Sequence, residues 1–367
     1  MATKRSTREI NAGWKANFWF SCKLRGICPS CTGRGAQDGA HRLATRVLPH
    51  SEYRQWVVNY PFEMSQKLAF QPALISRVER LVAKVLREWA EAQGVKCESG
   101  GVLFRHRFGS NMNVQIHSHI VMFNGGYIRN AKNQLEFARA GEIAQGELAK
   151  LAEELHRRIQ GLLARHGIAK APGSAGLTLP DVVEQPNSGQ AVRFQGLHLF
   201  VSKPLSDRKE LEGLCRYLLR GGVDVSRLRV LPGDRYAYRL NRKDKAGRQD
   251  LEFTGKELME KLASLIPAAR HPTRRYFGVL AGGYKNRKSI IPLIAVVAGL
   301  GATPPRVASR TDWATLLRRV YGVDALACQK CSAQMKLVRL IERGSPCTLD
   351  CGCIRCKPPP IIAQKAA

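Results

Sequence analysis

Two histidines one residue apart, His117 and His119, lie in the run NVQIHSHIVMF, which alternates apolar and polar residues as a half-buried strand does. On a strand, residues i and i+2 share a face. The two imidazoles are therefore predicted to project together, with Val114, Ile116, Ile120 and Met122 on the opposite face. Two imidazoles at that spacing can hold one divalent cation. A firmly held cation needs a third ligand. His198, in the alternating stretch GLHLF, is the expected one, and His106, in RHRF, is the second choice because its side chain can point away. A metal on phosphate also needs a nucleophile. Tyr217, in LCRYLLR, sits at the edge of a helical apolar stripe of Leu211, Leu214, Cys215 and Leu218, with Arg216 and Arg220 turned to solvent. A phenol at that boundary can reach a cleft while neighbouring guanidiniums bind phosphate.

The charge of the chain points to what that chemistry would act on. Its 367 residues carry 59 Lys and Arg against 29 Asp and Glu, a formal charge of +30. Such a surface attracts polyphosphate, and counterion release drives binding to DNA or RNA. The basic residues spread along the whole chain, which argues against a juxtamembrane cluster on anionic lipid. A hydrophobic fraction of 44% argues against wholesale disorder. The stretch MATKRSTREINAGWK has no apolar core of a secretory signal, and the longest apolar run, 290–300, contains Pro292 and is too short to span a bilayer. No GxxxxGK[ST] phosphate loop is present. The expectation is a cytoplasmic, DNA-associated protein with no membrane partner and no nucleotide cofactor.

Eleven cysteines in a reducing compartment point to metal ligation, not disulfides. Cys22, Cys28 and Cys31 supply three of the four ligands a structural Zn2+ needs, with His41 available as a fourth. Cys328 and Cys331 form one CxxC pair, and Cys353 and Cys356 another, at close to zinc-ribbon spacing. Cys347 and Cys351 are alternative ligands. Another arrangement has Cys28 and Cys31 share one ion with Cys328 and Cys331. Cys97 and Cys215 stand alone and read as small buried apolar residues.

The elements that must position these residues follow from periodicity. Leu74, Ile75, Val78, Leu81, Val82, Val85, Leu86 and Trp89 recur at helical spacing and predict a helix over 71–94. Strands over 101–108 and 113–123 are predicted to pair around Gly109 and Ser110. A second helix is predicted over 143–166, with Leu148, Leu151, Leu155, Ile159 and Leu162 as its stripe. The Gly-, Pro- and Ser-rich 172–188 reads as loop. A strand over 193–202 follows, then a helix over 207–220 with Ser206 as N-cap and Gly221-Gly222 stopping it. A hairpin over 235–253 leads to a capping box, Thr254 with Glu257, that opens a helix running through Leu265. Interspersed helices and hairpins favour an α+β fold built on an antiparallel sheet. The expected divisions are a basic Cys-bearing region 1–49, a core 50–300, a Pro-containing linker 301–311, and a helix with a Cys-rich module over 312–367.

RFGSNMNVQIHSHIVM (107–122) followed by LCRYLLR (214–220) resembles the HUH single-strand endonucleases, in particular the rolling-circle transposases of bacterial insertion sequences. SCKLRGICPSC (21–31) resembles the N-terminal zinc-binding region of those transposases. YRQWVVNYPF (53–62), RRYFGVLA (274–281) and WATLLRRVYGVDALACQKC (313–331) match in order. The resemblance implies that His117, His119 and a third ligand hold Mg2+ or Mn2+ against a phosphate of single-stranded DNA at element ends. It implies that Tyr217 attacks that phosphate to give a 5′-phosphotyrosine and a free 3′-OH, and that the flanking cysteines bind Zn2+. Some relatives carry two tyrosines four residues apart; here Gly213 stands four before Tyr217, so this chain resembles a one-tyrosine variant, whose second cleavage needs another subunit or reuse of the same residue. A proline pair common after that helix is replaced by Gly221-Gly222, and the CxxC that relatives carry upstream of Cys22 is missing. Arg105, Arg107, Arg274 and Arg275, with Arg216 and Arg220, are the expected phosphate contacts.

Two other functions account for part of this pattern. A non-enzymatic zinc-dependent DNA-binding protein, or a decayed transposase, explains the charge and the cysteines but not His117, His119 and Tyr217 together. A replication initiator or relaxase would use the same chemistry, but the N-terminal SCKLRGICPSC and the C-terminal WATLLRRVYGVDALACQKC match transposases.

Overall fold

The computed structural model describes residues 4–9, 15–19, 29–92, 97–109, 111–168, 188–241, 243, 246–267, 272–291, 318, 324, 327 and 336–342. Cys22, Cys28, Cys328, Cys331, Cys353 and Cys356, with the zinc sites expected of them, lie outside the described residues, as do the linker 301–311 and nearly all of the loop 172–188.

The chain forms two compact units, one of Met1–Leu24 with Thr311–Ala367 and one of Arg25–Arg310. In the first, strand β1 (Lys4–Glu9) pairs antiparallel with β2 (Lys15–Trp19) on one side and with β14 (Lys336–Glu342) on the other. The two ends of the chain thus share one three-stranded sheet. Residues 25–49 belong to the second unit.

The second unit begins with helix α1 (Pro29–Arg42) and a short π-helix (Leu43–Val47). Then come β3 (Tyr53–Asn59), α2 (Phe62–Ala69), α3 (Pro72–Ala92), β4 (Gly100–Phe108) and β5 (Val114–Phe123). A hairpin of β6 (Gly125–Arg129) and β7 (Leu135–Arg139) precedes α4 (Gln145–Ala164), β8 (Gly189–Phe194), β9 (Leu197–Ser202) and α5 (Arg208–Leu218). A small sheet of β10 (Leu228–Leu231), β11 (Arg235–Arg239) and β12 (Asp250–Thr254) runs into α6 (Gly255–Leu265), β13 (Arg274–Gly278) and α7 (Arg287–Ile290). This is the expected α+β class, with a large antiparallel sheet. No described helix is long and apolar enough to cross a membrane.

That large sheet has the order β13-β4-β5-β3-β9-β8, with every neighbouring pair antiparallel. Both of its faces are covered. One face carries Trp56, Val58, Leu103, Ile116, Ile120 and Met122 into a core with α2, α3 and α4. The other carries Tyr53, Val102, Phe104, Val121 and Phe123 into a core with α1 and α5. Burial of each large side chain there contributes roughly 1.5–3 kcal/mol. The even-numbered residues of β5 take the first face as the alternation predicts. Its odd-numbered polar residues face a second core, not water, and that places imidazoles in a dry interior.

Local sequence explains most of the elements. The α3 stripe Leu74, Ile75, Val78, Val82, Val85 and Leu86 is buried, and Pro72 begins the helix, where a missing N–H costs nothing. Thr254 and Glu257 form the expected capping box of α6. Two expectations are corrected. The N-cap of α5 is Asp207, whose carboxylate accepts from the backbone N–H of Lys209 and Glu210; the hydroxyl of Ser206 donates to Glu52 instead. A charged carboxylate oxygen is a stronger acceptor for these N–H groups than a neutral hydroxyl, and its charge is favoured at a helix N-terminus. The single strand expected over 193–202 is a hairpin, because Gln195 and Gly196 both take positive φ (44° and 79°), as a tight two-residue turn requires.

Candidate active site

Register brings three imidazoles together. His117 on β5 lies opposite His106 on β4, and His119 lies opposite Phe104, so His106, His117 and His119 share one face of the sheet. One ring nitrogen from each falls within 4.8 Å of the others. Ring centroids are 4.4 Å apart for His106 and His119, 4.9 Å for His117 and His119, and 5.2 Å for His106 and His117. All three side chains are buried.

The hydrogen bonds around the cluster leave its inner nitrogens for a ligand. His117 Nδ1 lies 3.3 Å from the Gln115 carbonyl and donates to it. His117 Nε2 is buried with no hydrogen-bond partner, and so is His119 Nε2. The Gln55 amide meets His119 Nδ1 at 3.1 Å through Nε2; with the amide turned so that Oε1 accepts from Nδ1–H, His119 Nε2 carries no proton and can ligate. His106 Nε2 donates to the Leu218 carbonyl at 2.8 Å, which leaves its Nδ1 as the ligating atom. Buried polar atoms are rarely left unpaired, and outer-shell bonds of this kind fix the tautomer of metal-bound histidines. The residues therefore fit a divalent cation.

Electrostatics agrees with that fit. Burial pushes His106 down to about 4, against the opposing pull of the Leu218 carbonyl and with help from Arg220. Burial, then the neighbouring His106, hold His117 and His119 well below the ordinary histidine range. All three are neutral near pH 7, which is the ligating state.

His198 does not join the cluster. It lies on β9, and β3 stands between β9 and β5. Asn59 on β3 is opposite both His117 and His198, and its Nδ2 is 3.1 Å from His198 Nδ1. Strands are about 4.8 Å apart, so His198 is two strand spacings from His117 while His106 is one. His41, considered for zinc, instead has Nδ1 3.5 Å from a carboxylate oxygen of Glu212.

Tyr217 is brought to the same face. Burial of Leu211, Leu214, Cys215 and Leu218 fixes the roll of α5 and leaves the Tyr217 ring half-buried, edge-on to His119 with centroids 6.1 Å apart and planes at 86°. The guanidinium of Arg220 lies 3.9 Å from the centre of the Tyr217 ring. Cys215, on the buried side of α5, has its thiol pushed up to about 12 by burial, and Cys97 is also buried.

The expected phosphate contacts divide. Arg220 and Arg274 are exposed, and Arg274, opposite Phe104 on β13, stands on the histidine face. Arg216 is exposed and reaches Gln37 at 3.3 Å. Arg105 is instead committed to a buried ion pair with Glu79, and Arg107 donates to the carbonyls of Ser264 and Ala69. Arg275, opposite Leu103, points to the other face toward Glu79. Sequence reasoning missed Gln55. Its one signal was an amide within YRQWVVN, a strand that is buried along its whole length.

A family model described as "Putative transposase" matches residues 100–288, more than half of the chain, a span that holds His106, His117, His119 and Tyr217. No curated protein and no solved structure matches the chain. The chain belongs to this transposase family, whose members process DNA.

Proposed function

We propose that this transposase is of the HUH type and nicks and rejoins single-stranded DNA through Tyr217. The observation that carries the reading is the convergence of three neutral buried imidazoles, two with unpartnered Nε2 atoms, beside a half-buried tyrosine. His106, His117 and His119 would hold Mg2+ or Mn2+. A cation bound there would supply positive charge to the phosphate oxygens as negative charge builds on them. Arg220 and Arg274 would hold the flanking phosphates. The Tyr217 oxygen would attack phosphorus, forming a P–O bond to the phenol as the P–O3′ bond breaks. The leaving 3′ oxygen would take a proton and become a free 3′-OH, and the phenol proton would pass to solvent. One phosphate ester replaces another, so a 3′-OH can reverse the step without a nucleotide cofactor. Structural Zn2+ at the cysteines outside the described residues belongs to this proposal on spacing alone.

The test is a covalent adduct. Wild type and Tyr217→Phe are incubated with Mn2+ and labelled single-stranded oligonucleotides from DNA flanking the coding region. Wild type is expected to form a protein–DNA band that survives denaturation, and Tyr217→Phe none. An equal band from both proteins, or none from wild type, would refute the reading.

A further inference from the structure

Beside the histidine cluster is a cavity of about 170 Å3. It opens where β13 stops covering the edge of β4. Arg274 is the first residue of β13 and pairs with Phe104, so among the described residues His106 to Phe108 have no strand beside them on that edge. The gap is closed instead by the turn after α5, with Gly222 and Val223, and by Leu262 and Leu265 of α6. His106 forms part of the cavity wall, and its ring is 4.4 Å from that of His119.

The lining has two chemistries. Phe104, Phe108, Val223, Leu262 and Leu265 give it an aromatic and aliphatic interior. Arg220 and Arg274, both exposed, also line it and make its rim cationic. The backbone at Gly222 comes so close to Phe108 that a Cβ there would sit 2.7 Å from the ring. The turn is therefore seated against this wall. The volume is below the roughly 300–1,000 Å3 of pockets for drug-sized ligands. It suits one planar heterocycle whose charged attachments remain outside.

We propose that this cavity takes a single nucleobase turned out of the bound strand, with its flanking phosphates on Arg220 and Arg274. The inference rests on the single-strand reading above and adds a base-reading subsite to it. Single-stranded nucleic acid is commonly held by this pairing of cationic groove and apolar platform, and extruded bases are held in close-fitting pockets. The cavity shares His106 and Arg220 with the proposed nicking site, so the base it holds belongs to a nucleotide close to the scissile phosphate.

The test separates bases from phosphates. The full chain, with no Mg2+ or Mn2+ added, is titrated with a fluorescein-labelled 20-mer of thymidine and with a 20-mer of abasic residues having the same phosphates. Wild type is expected to bind the thymidine strand about tenfold or more tightly over the abasic one, the scale of stacking one base. Val223→Phe and Leu262→Phe, two independent ways of filling the cavity, are each expected to lower that ratio about fivefold. Affinity for the abasic strand should stay unchanged, which also shows that each variant is folded. A ratio that neither variant moves overturns the base subsite while leaving single-strand binding intact. No binding of either strand by wild type overturns the nicking reading and the subsite with it.

Discussion

The guanidinium of Arg220 lies 3.9 Å from the ring centre of Tyr217, one turn of chain beyond it at the end of α5. This contact joins the proposed nucleophile to a cation that also faces the histidine cluster. A cation over a phenol ring contributes about 0.5–2 kcal/mol. Arg220→Ala is expected to slow nicking by roughly tenfold or more, since it removes both that contact and a phosphate partner. Arg220→Lys should recover part of the rate. Single-turnover adduct formation measures both, and an unchanged rate in Arg220→Ala would exclude the arrangement.

The choice of His106 over His198 as third ligand is a direct test of register. His106→Ala is expected to lower Mn2+ affinity by at least a hundredfold by calorimetry and to abolish adduct formation. His198→Ala, two strands from His117, is expected to keep Mn2+ affinity within about threefold. The reverse order would restore the sequence-based assignment.

In the proposed metal site Gln55 would be a positioning residue, since its amide meets His119 Nδ1 and not Nε2. Loss of such an outer partner typically costs 10–100-fold in metal affinity. Gln55→Leu, close in size, is expected to weaken Mn2+ binding within that range, with Gln55→Glu weakening it less. A structural role alone would lower the unfolding midpoint of Gln55→Leu and leave Mn2+ affinity unchanged.

The metal-free chain should lose stability in mild acid. His106 is lowered from an ordinary 6.5 to about 4. Between those values the unfolded chain binds a proton that the folded one refuses, so stability is full above about pH 6.5 and falls as pH drops toward 4. At about 1.36 kcal/mol per pH unit, His106 alone accounts for a loss of roughly 3 kcal/mol. His117 and His119 shift in the same direction and add to it. Urea unfolding in EDTA at pH 7, 6, 5 and 4 measures the slope. A His106→Phe variant should show a shallower one.

The arginines should separate into structural and DNA-binding sets. Glu79→Gln leaves Arg105 buried without its carboxylate, and breaking such a pair costs about 3–5 kcal/mol. Arg274→Ala should leave thermal stability unchanged and reduce the salt dependence of DNA binding by about one phosphate. Equal effects of both on DNA affinity, with folding intact, would contradict the division.

Much of this site was legible in the sequence, and its failures have physical causes. The alternation around His117 and His119 placed both side chains on one face, because the opposite face of β5 is apolar but for Ser118, whose hydroxyl is paired with that of Tyr60. Tyr217 was legible because its helix has a clear stripe. The histidine that joins His117 and His119 was not, because alternation gives the face of a residue but not the order of strands. GLHLF and RHRF both alternate, and only hydrogen-bonded register decides that β4 and not β9 lies beside β5. β3 was missed as a strand because a strand covered on both faces has no polar period to detect. The reading of Arg105 failed because Glu79, 26 residues earlier, sits on a helix whose buried face looked wholly apolar.

The pairing of Lys4 with Glu342 has a consequence for the timing of biosynthesis. A ribosome adding about 5–20 residues per second exposes β1 tens of seconds before its partner β14 exists. Throughout that interval the large sheet, whose strands all lie between Tyr53 and Gly278, can close. The three-stranded sheet cannot. A chain released before Lys336 would therefore carry the histidine cluster and Tyr217 on a finished scaffold while its first strand lacked one neighbour. Completion of translation, as well as sequence, decides whether a given copy holds both sheets.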